Sequence, residues 1–110
     1  MGKFVITRRA NGEFQFNLKA GNGQTILTSE GYTTKAACSN GIESVKVNSQ
    51  DENRFDRKET SNGKPYFNLK ASNGQIIGSS EIYESTSARD NGIASVQSNA
   101  PHAIIDDLTV

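Results

Sequence analysis

The side chains that could do nucleophilic or metal chemistry are few in this sequence. Cys38 is the only cysteine and His102 the only histidine, and they lie in different kinds of segment. A Cys-His nucleophilic pair needs the two side chains within hydrogen-bond reach, and a structural metal site needs several such ligands. The sequence therefore predicts no catalytic residue, no metal site and no cofactor.

A serine-glutamate pair occurs twice, as Ser29-Glu30 and Ser80-Glu81. Such a duplicated pair could form a polar small-molecule site near a local two-fold axis. The alternative, which we favour, is that these residues order the turn from a strand into a helix, because serine side chains often hydrogen-bond to nearby backbone.

The spacing between these two pairs is the period of the whole chain. Pairing positions 3–50 with positions 54–101 gives 22 identical pairs out of 48, whereas composition predicts about three, at roughly one chance match in sixteen. The segment Phe16–Gln24 returns almost unchanged as Phe67–Gln75. Two copies in a small chain suggest a pseudo-two-fold arrangement in which each copy completes the other.

Within each copy the hydrophobic pattern changes from the period of a strand to that of a helix. In 13–20, apolar and polar residues alternate, so Phe16 and Leu18 share one face with Phe14 and Ala20. Asn22-Gly23 predicts a type I′ hairpin turn, whose two central residues need positive φ. The predicted strands are 3–9, 13–20, 24–28, 54–59, 64–71 and 75–78, and the predicted helices end near Asn48 and run from about Ser85 to Asn99.

The C-terminal residues 103–108 are apolar enough for a final strand. Shifted back by 51 they fall on 52–57, the segment that links the copies. Each unit thus has the predicted order β-β-β-α-β, and the strands of both units are predicted to form one antiparallel sheet. We predict an α+β fold of one domain, 1–110, with repeat one at 1–50 and repeat two at 51–110.

Composition limits the classes of function. Only 34% of the residues are hydrophobic, which suits a thin core with the helices on one face of a single sheet. Twelve basic and twelve acidic residues cancel, which disfavours a non-specific nucleic-acid binder. No apolar run approaches the roughly 20 residues that span a bilayer, and a lone thiol fits a reducing compartment. We expect a soluble, cytoplasmic protein without a membrane partner.

The repeated motifs resemble those of a known family. Phe-Asn-Leu-Lys-Ala-x-Asn-Gly-Gln, Ser-Glu-x-Tyr and Asn-Gly-Ile-x-Ser-Val occur in tandem, at 16–24, 29–32 and 40–45 and again at 67–75, 80–83 and 91–96. In this combination they resemble the YegP-like proteins, small bacterial and archaeal proteins of uncharacterised function. The resemblance implies two β-β-β-α-β units in one sheet with exchanged C-terminal strands, and it supplies no catalytic residue.

The outward face of the second strand in each copy carries the main candidate residues. If the helices cover the opposite face, packing does not require the identity of Asn17 with Asn68 or of Lys19 with Lys70, and Tyr66 lies beside them. Such a polar sheet face could contact phosphates or stack a base. The alternative is that these side chains keep an exposed sheet soluble.

The function itself is not fixed by the sequence. We favour a small non-enzymatic binding or interaction module that uses the exposed polar sheet face, with an unknown protein or small molecule as partner. A nucleic-acid-associated protein is the first alternative, and a small-molecule site at the Ser-Glu turns is the second. A monomer is expected, because the tandem repeat forms an internal pseudo-dimer.

Overall fold

Residues 2–110, which the computed structural model describes, form seven strands and two α-helices in the order predicted. The α+β class and the two tandem units are thereby confirmed. The strands are β1 (Lys3–Arg8), β2 (Phe14–Lys19), β3 (Thr25–Ser29), β4 (Phe55–Glu59), β5 (Pro65–Lys70), β6 (Ile76–Ser79) and β7 (Ile104–Asp107), and the helices are α1 (Lys35–Asn48) and α2 (Thr86–Asn99).

All seven strands belong to one sheet with a local two-fold axis at its centre. Their order is β4-β5-β6-β3-β2-β1-β7. The central strands β3 and β6 are antiparallel, and Thr28 of β3 lies opposite Ser79 of β6, which is its equivalent 51 residues later. The axis therefore passes between these two residues and relates the β-hairpins of the two repeats.

Each helix is followed by a strand in the opposite half of the sheet. After α1 the chain enters β4, which pairs with β5 of repeat two. After α2 it enters β7, which pairs with β1 of repeat one. The predicted exchange of strands is confirmed, but the sheet is not antiparallel throughout, because β7 runs parallel to β1. The turn after α2 brings the chain to the beginning of β1, where the Ile104 amide donates to the Gly2 carbonyl at 3.3 Å.

Both helices pack on the same face of the sheet and share one hydrophobic core. The alternation of β2 and β5 buries Phe16, Leu18, Phe67 and Leu69, and the helices add Ile42, Val45, Ile93 and Val96. Helix α1 lies over β2 and also reaches β5 and β6 of the other repeat, whereas α2 lies over β5 and reaches β3. The repeats are thus interleaved through the core.

The hairpin turns differ from the predicted type I′. In the loop between β2 and β3 the Gly23 amide donates to the Ala20 carbonyl at 2.9 Å, and the Ala20 amide donates to the Gln24 carbonyl at 2.9 Å. Gly23 has a φ of 86°, and within residues 2–110 positive φ occurs only at glycines. This is a type I turn closed by one left-handed glycine. The Asn22 Oδ1 atom accepts from the Gln24 amide at 3.0 Å, so the asparagine fixes the loop with its side chain.

Candidate functional site: two clefts between the repeats

The repeated serines are structural. The Ser29 hydroxyl donates to the Glu30 carbonyl at 2.8 Å and accepts from the Phe16 amide at 2.9 Å. Ser80 makes the same two bonds in repeat two. Both hydroxyls are therefore occupied in hydrogen bonds at the end of the third strand.

The tyrosine that follows each Ser-Glu pair is pinned between strand and helix. The Tyr32 amide and carbonyl both bond to Phe14 at 2.7 Å, and its ring stacks on Phe16 at 6.2 Å between centroids. The Tyr32 hydroxyl then lies directly over Gly41 of α1, where any Cβ atom would collide with it. Tyr83 repeats the arrangement over Gly92 of α2. The glycine inside each helix is thus explained by the tyrosine.

A cleft opens beside each tyrosine, between a hairpin of one repeat and the helix of the other. In the first cleft the β2–β3 hairpin of repeat one contributes Ala20, Asn22, Gln24, Thr25 and Ile26. Repeat two contributes Glu81, Tyr83, Ala88, Asn91, Gly92 and Ser95. The second cleft is lined by the eleven equivalent residues, 51 positions away, together with Gly31. Neither repeat could form such a cleft alone.

The two clefts are nearly identical in sequence. Ten of their eleven equivalent positions carry the same residue in both repeats, and the exception is Thr25 against Ile76. Outside the clefts only 12 of the other 37 pairs are identical. The identity of some of these ten pairs is explained by the fold, because their residues lie in the core, in a turn or at a helix contact. The exposed polar ones, Gln24, Glu30 and Asn40 with their counterparts, are not required by the fold.

Each cleft combines one carboxylate, three amide side chains and the hydroxyls of one tyrosine and one serine above a floor of alanine and isoleucine, and Thr25 adds a third hydroxyl to the first cleft. Burial raises the pKa of Tyr32, and the neighbouring Cys38 and Glu30 raise it further. Burial also raises the pKa of Tyr83, and the charge of Glu81 raises it further. Both phenols therefore stay protonated at neutral pH and can donate hydrogen bonds.

The carboxylate is the one charged group in each lining. Among residues 2–110, no lysine, arginine or histidine lines either cleft. The ion pairs formed within that part of the chain do not involve Glu30 or Glu81. Each cleft is thus a polar, mildly acidic site.

The predicted sheet-face residues lie on the face opposite the helices, where one row crosses all seven strands. From edge to edge it consists of Asp56, Asn68, Ser79, Thr28, Asn17, Val5 and Asp106. Asn17 and Asn68 flank the two central strands and lie three strand spacings apart, about 14 Å. Lys19, Tyr66 and Lys70 belong to the flanking positions of β2 and β5.

Several of these side chains already have partners in the protein. Asn68 is buried, and its Oδ1 accepts from the Ser79 hydroxyl at 2.7 Å. Lys70 contacts Asp56 at 3.2 Å, and its hydrogen bond lowers the pKa of that carboxyl. The Asn17 Oδ1 atom differs, because it is buried without a partner among residues 2–110.

Comparison with known proteins gives a family but no activity. A family model described as a domain of unknown function (DUF1508) matches residues 10–56 and again 60–107. The chain belongs to the DUF1508 family. The resemblance to YegP-like proteins is confirmed as well. A UPF0339 protein of Shewanella oneidensis is 55% identical over 98% of both chains, and the UPF0339 protein YegP of Escherichia coli (strain K12) is 51% identical over 98% of both.

Two solution NMR structures of DUF1508 relatives have the same fold. The Shewanella oneidensis structure has a TM-score of 0.92 at 54% identity, covering 97% of this chain and 91% of that one. The structure of yegP from E. coli, described as a protein of unknown function, has a TM-score of 0.93 at 50% identity, covering 97% and 92%. Within residues 2–110 of this DUF1508 chain, the helices are too short or too polar to span a membrane.

Proposed function

We propose that the protein is a small non-enzymatic binding module whose ligands occupy the two clefts between the repeats. The observation that carries the proposal is the identity of ten out of eleven equivalent lining positions. Selection for folding accounts for buried and turn residues, whereas the exposed Gln24, Glu30 and Asn40 need another reason. Binding one kind of ligand at both clefts supplies it.

The chemistry of the lining supports binding rather than catalysis. A nucleophile must be activated by a base or by a lowered pKa. Cys38 is fully buried, and that burial raises the pKa of its thiol. The tyrosine phenols also have raised pKa values, so they serve as hydrogen-bond donors. We retain a monomer in the cytoplasm as part of the proposal.

The exposed sheet face is a second candidate surface, for a protein or a nucleic acid. The observation that favours it is the Asn17 Oδ1 atom, which is buried without a protein partner and which a ligand donor could satisfy if the side chain turned outward. Asp56 and Asp106 stand in the same row, and their ion pairs with Lys70 and Lys3 neutralise two cations of this face that could otherwise bind a phosphate backbone. This makes a nucleic acid the less favoured partner of that face.

Amide chemical-shift mapping with a library of amines, sugars, amino acids and nucleotides tests the proposal. Asn40→Arg with Asn91→Arg places a bulky cation at the rim of each cleft, on exposed helix positions. Ala36→Arg with Ser87→Arg adds the same charge at exposed positions of the same helices outside the clefts. We expect binders to shift both clefts in the wild type and in the control, and at least tenfold weaker binding in the rim variant.

Other outcomes decide between the surfaces. If the shifts are confined to the strands around Asn17 and Lys19 and the rim variant does not change them, the ligand binds the sheet face and not the clefts. A library without a single binder at either surface would refute the binding module.

A further inference from the structure

We infer that each cleft accepts an aliphatic cation, a primary ammonium or guanidinium group on a short apolar stem, such as a lysine or arginine side chain or a free alkylamine. The inference rests on the proposed function of the clefts and specifies its ligand class. It follows from three features of the lining: the sign of its charge, the position of its apolar floor and the acceptors around its rim.

The charge of the lining selects against anions. Glu81 in the first cleft and Glu30 in the second are exposed carboxylates without an ion-pair partner among the described residues. No cationic side chain of 2–110 lines either cleft. A phosphate or carboxylate ligand would therefore be repelled, whereas a cation finds an uncompensated carboxylate, and charge-assisted hydrogen bonds are the stronger kind.

The floor of the cleft selects an apolar stem. Ala20 and Ile26 line the hairpin side of the first cleft, and Ala88 lines the helix side. Lysine and arginine stems bury their methylene groups along such apolar surfaces while the charged head stays in water. An aliphatic cation would thus place its stem on this floor and its head at the exposed Glu81.

The rim supplies further acceptors for an N–H-rich head. Gln24 and Asn91 are exposed and line the first cleft beside Glu81, and Gln75 and Asn40 do so in the second. Their amide oxygens can accept from the three donors of an ammonium or the five of a guanidinium. The same set occurs in both clefts, so one molecule should take two equivalents of ligand.

The test is an amide chemical-shift titration of the full chain with n-butylamine, n-butylguanidine, n-butanol and butyrate, which share one stem. We expect the two cations to shift both clefts, butanol to bind at least tenfold more weakly and butyrate to leave the clefts unshifted. Glu81→Gln should weaken amine binding at the first cleft at least tenfold and spare the second, and Glu30→Gln should do the reverse. Glu43→Gln, which removes an exposed carboxylate outside the clefts, should change neither.

Two results would overturn the inference. Butanol binding as tightly as butylamine would show that the clefts take apolar stems regardless of charge, and the proposed binding function would survive. If butylamine shifts neither cleft, aliphatic cations are also excluded as the ligand class. The proposed function would then stand or fall with the library screen, where sugars and other neutral compounds are tested separately.

Discussion

Gln24, Glu30 and Asn40 are exposed, yet each has an identical counterpart 51 residues later. The other exposed identical pairs lie in hairpin turns, as Asn11 with Asn62 and Gly23 with Gly74 do, whereas exposed helix positions such as Ala36 and Ser87 diverge, because exchange there changes little in a folded chain. Identity without burial outside a turn therefore marks the residues that the fold leaves unexplained. They converge from different repeats on the same clefts, which is why we propose that the ligand binds there.

The helix glycines give a sharp test of how the tyrosines are held. In an exposed helix interior, Gly→Ala stabilises by about 1 kcal/mol. At Gly92 the added methyl would collide with the Tyr83 hydroxyl and ring carbon, and overpacking of this kind costs about 1–3 kcal/mol. We expect Gly92→Ala to lower the free energy of unfolding by up to about 2 kcal/mol, which is the overpacking cost less the gain in helix propensity, measured by urea denaturation.

The equivalent variant Gly41→Ala should behave alike, because Tyr32 lies over it in the same way. Ala94→Gly, at an exposed position of α2, serves as the control for helix propensity alone. If both glycine variants are more stable than the wild type, the tyrosine hydroxyls are not held tightly against the helix glycines.

At the scale of elements, the sequence was sufficient to locate a strand or the start of a helix where the pattern is local. The alternation around Phe16 located β2, and Thr34 and Ser85 cap the helices where polar residues precede the apolar spacing. The turn type could not be predicted from Asn22-Gly23, because a two-residue and a three-residue loop use the same residues. The direction of β7 could not be predicted from the residue pattern either, because it depends on which end of β1 lies near the end of α2.

The clefts could not be predicted for a related reason. The identity of Gln24 with Gln75 and of Asn40 with Asn91 is visible in the sequence. What the sequence does not contain is which helix packs beside which hairpin. Only the interleaving of the repeats brings Gln24 into the same cleft as Asn91, which lies 67 residues further along the chain.

Strand β7 gives the prediction that belongs to this scale. It pairs with β1 along four residues, the preceding Ala103 is buried, and Lys35 contacts Asp107 at 3.0 Å. Deleting 101–110 removes these contacts and exposes the edge of β1. We expect the free energy of unfolding to fall by about 2–4 kcal/mol, at roughly 1 kcal/mol for each lost hydrogen bond.

Thermal melting of the truncated chain checks this expectation. Deletion of Val110 alone, which is 97% exposed, is the matched control and should leave the melting temperature unchanged. If the longer deletion melts like the wild type, β7 contributes nothing to the stability of the fold.

At the scale of the whole molecule, the two repeats behave as two subunits fused into one chain. The local axis between Thr28 and Ser79 relates them, as an isologous axis relates a dimer. Fusion also allows the halves to diverge, and the sheet face has done so: Ser79 bonds to Asn68, whereas Thr28 leaves the Asn17 Oδ1 atom without a partner. On this face the identical residues Asn17 and Asn68 therefore differ in their hydrogen bonding.

The interleaving predicts that neither repeat folds as a monomer on its own. One hydrophobic cluster draws on both repeats, so a separate repeat of about 50–60 residues, a size at which folding is already marginal, would lose the part of its core that the other repeat supplies. We expect the separate chains 1–50 and 51–110 to show collapsed amide spectra without cooperative melting. An equimolar mixture should recover the dispersed spectrum, because the β3–β6 pairing and the β1–β7 pairing both form between the halves. A monomeric half that melts cooperatively would instead mean that each repeat carries a sufficient core, and the clefts would then be an interface between two independent domains.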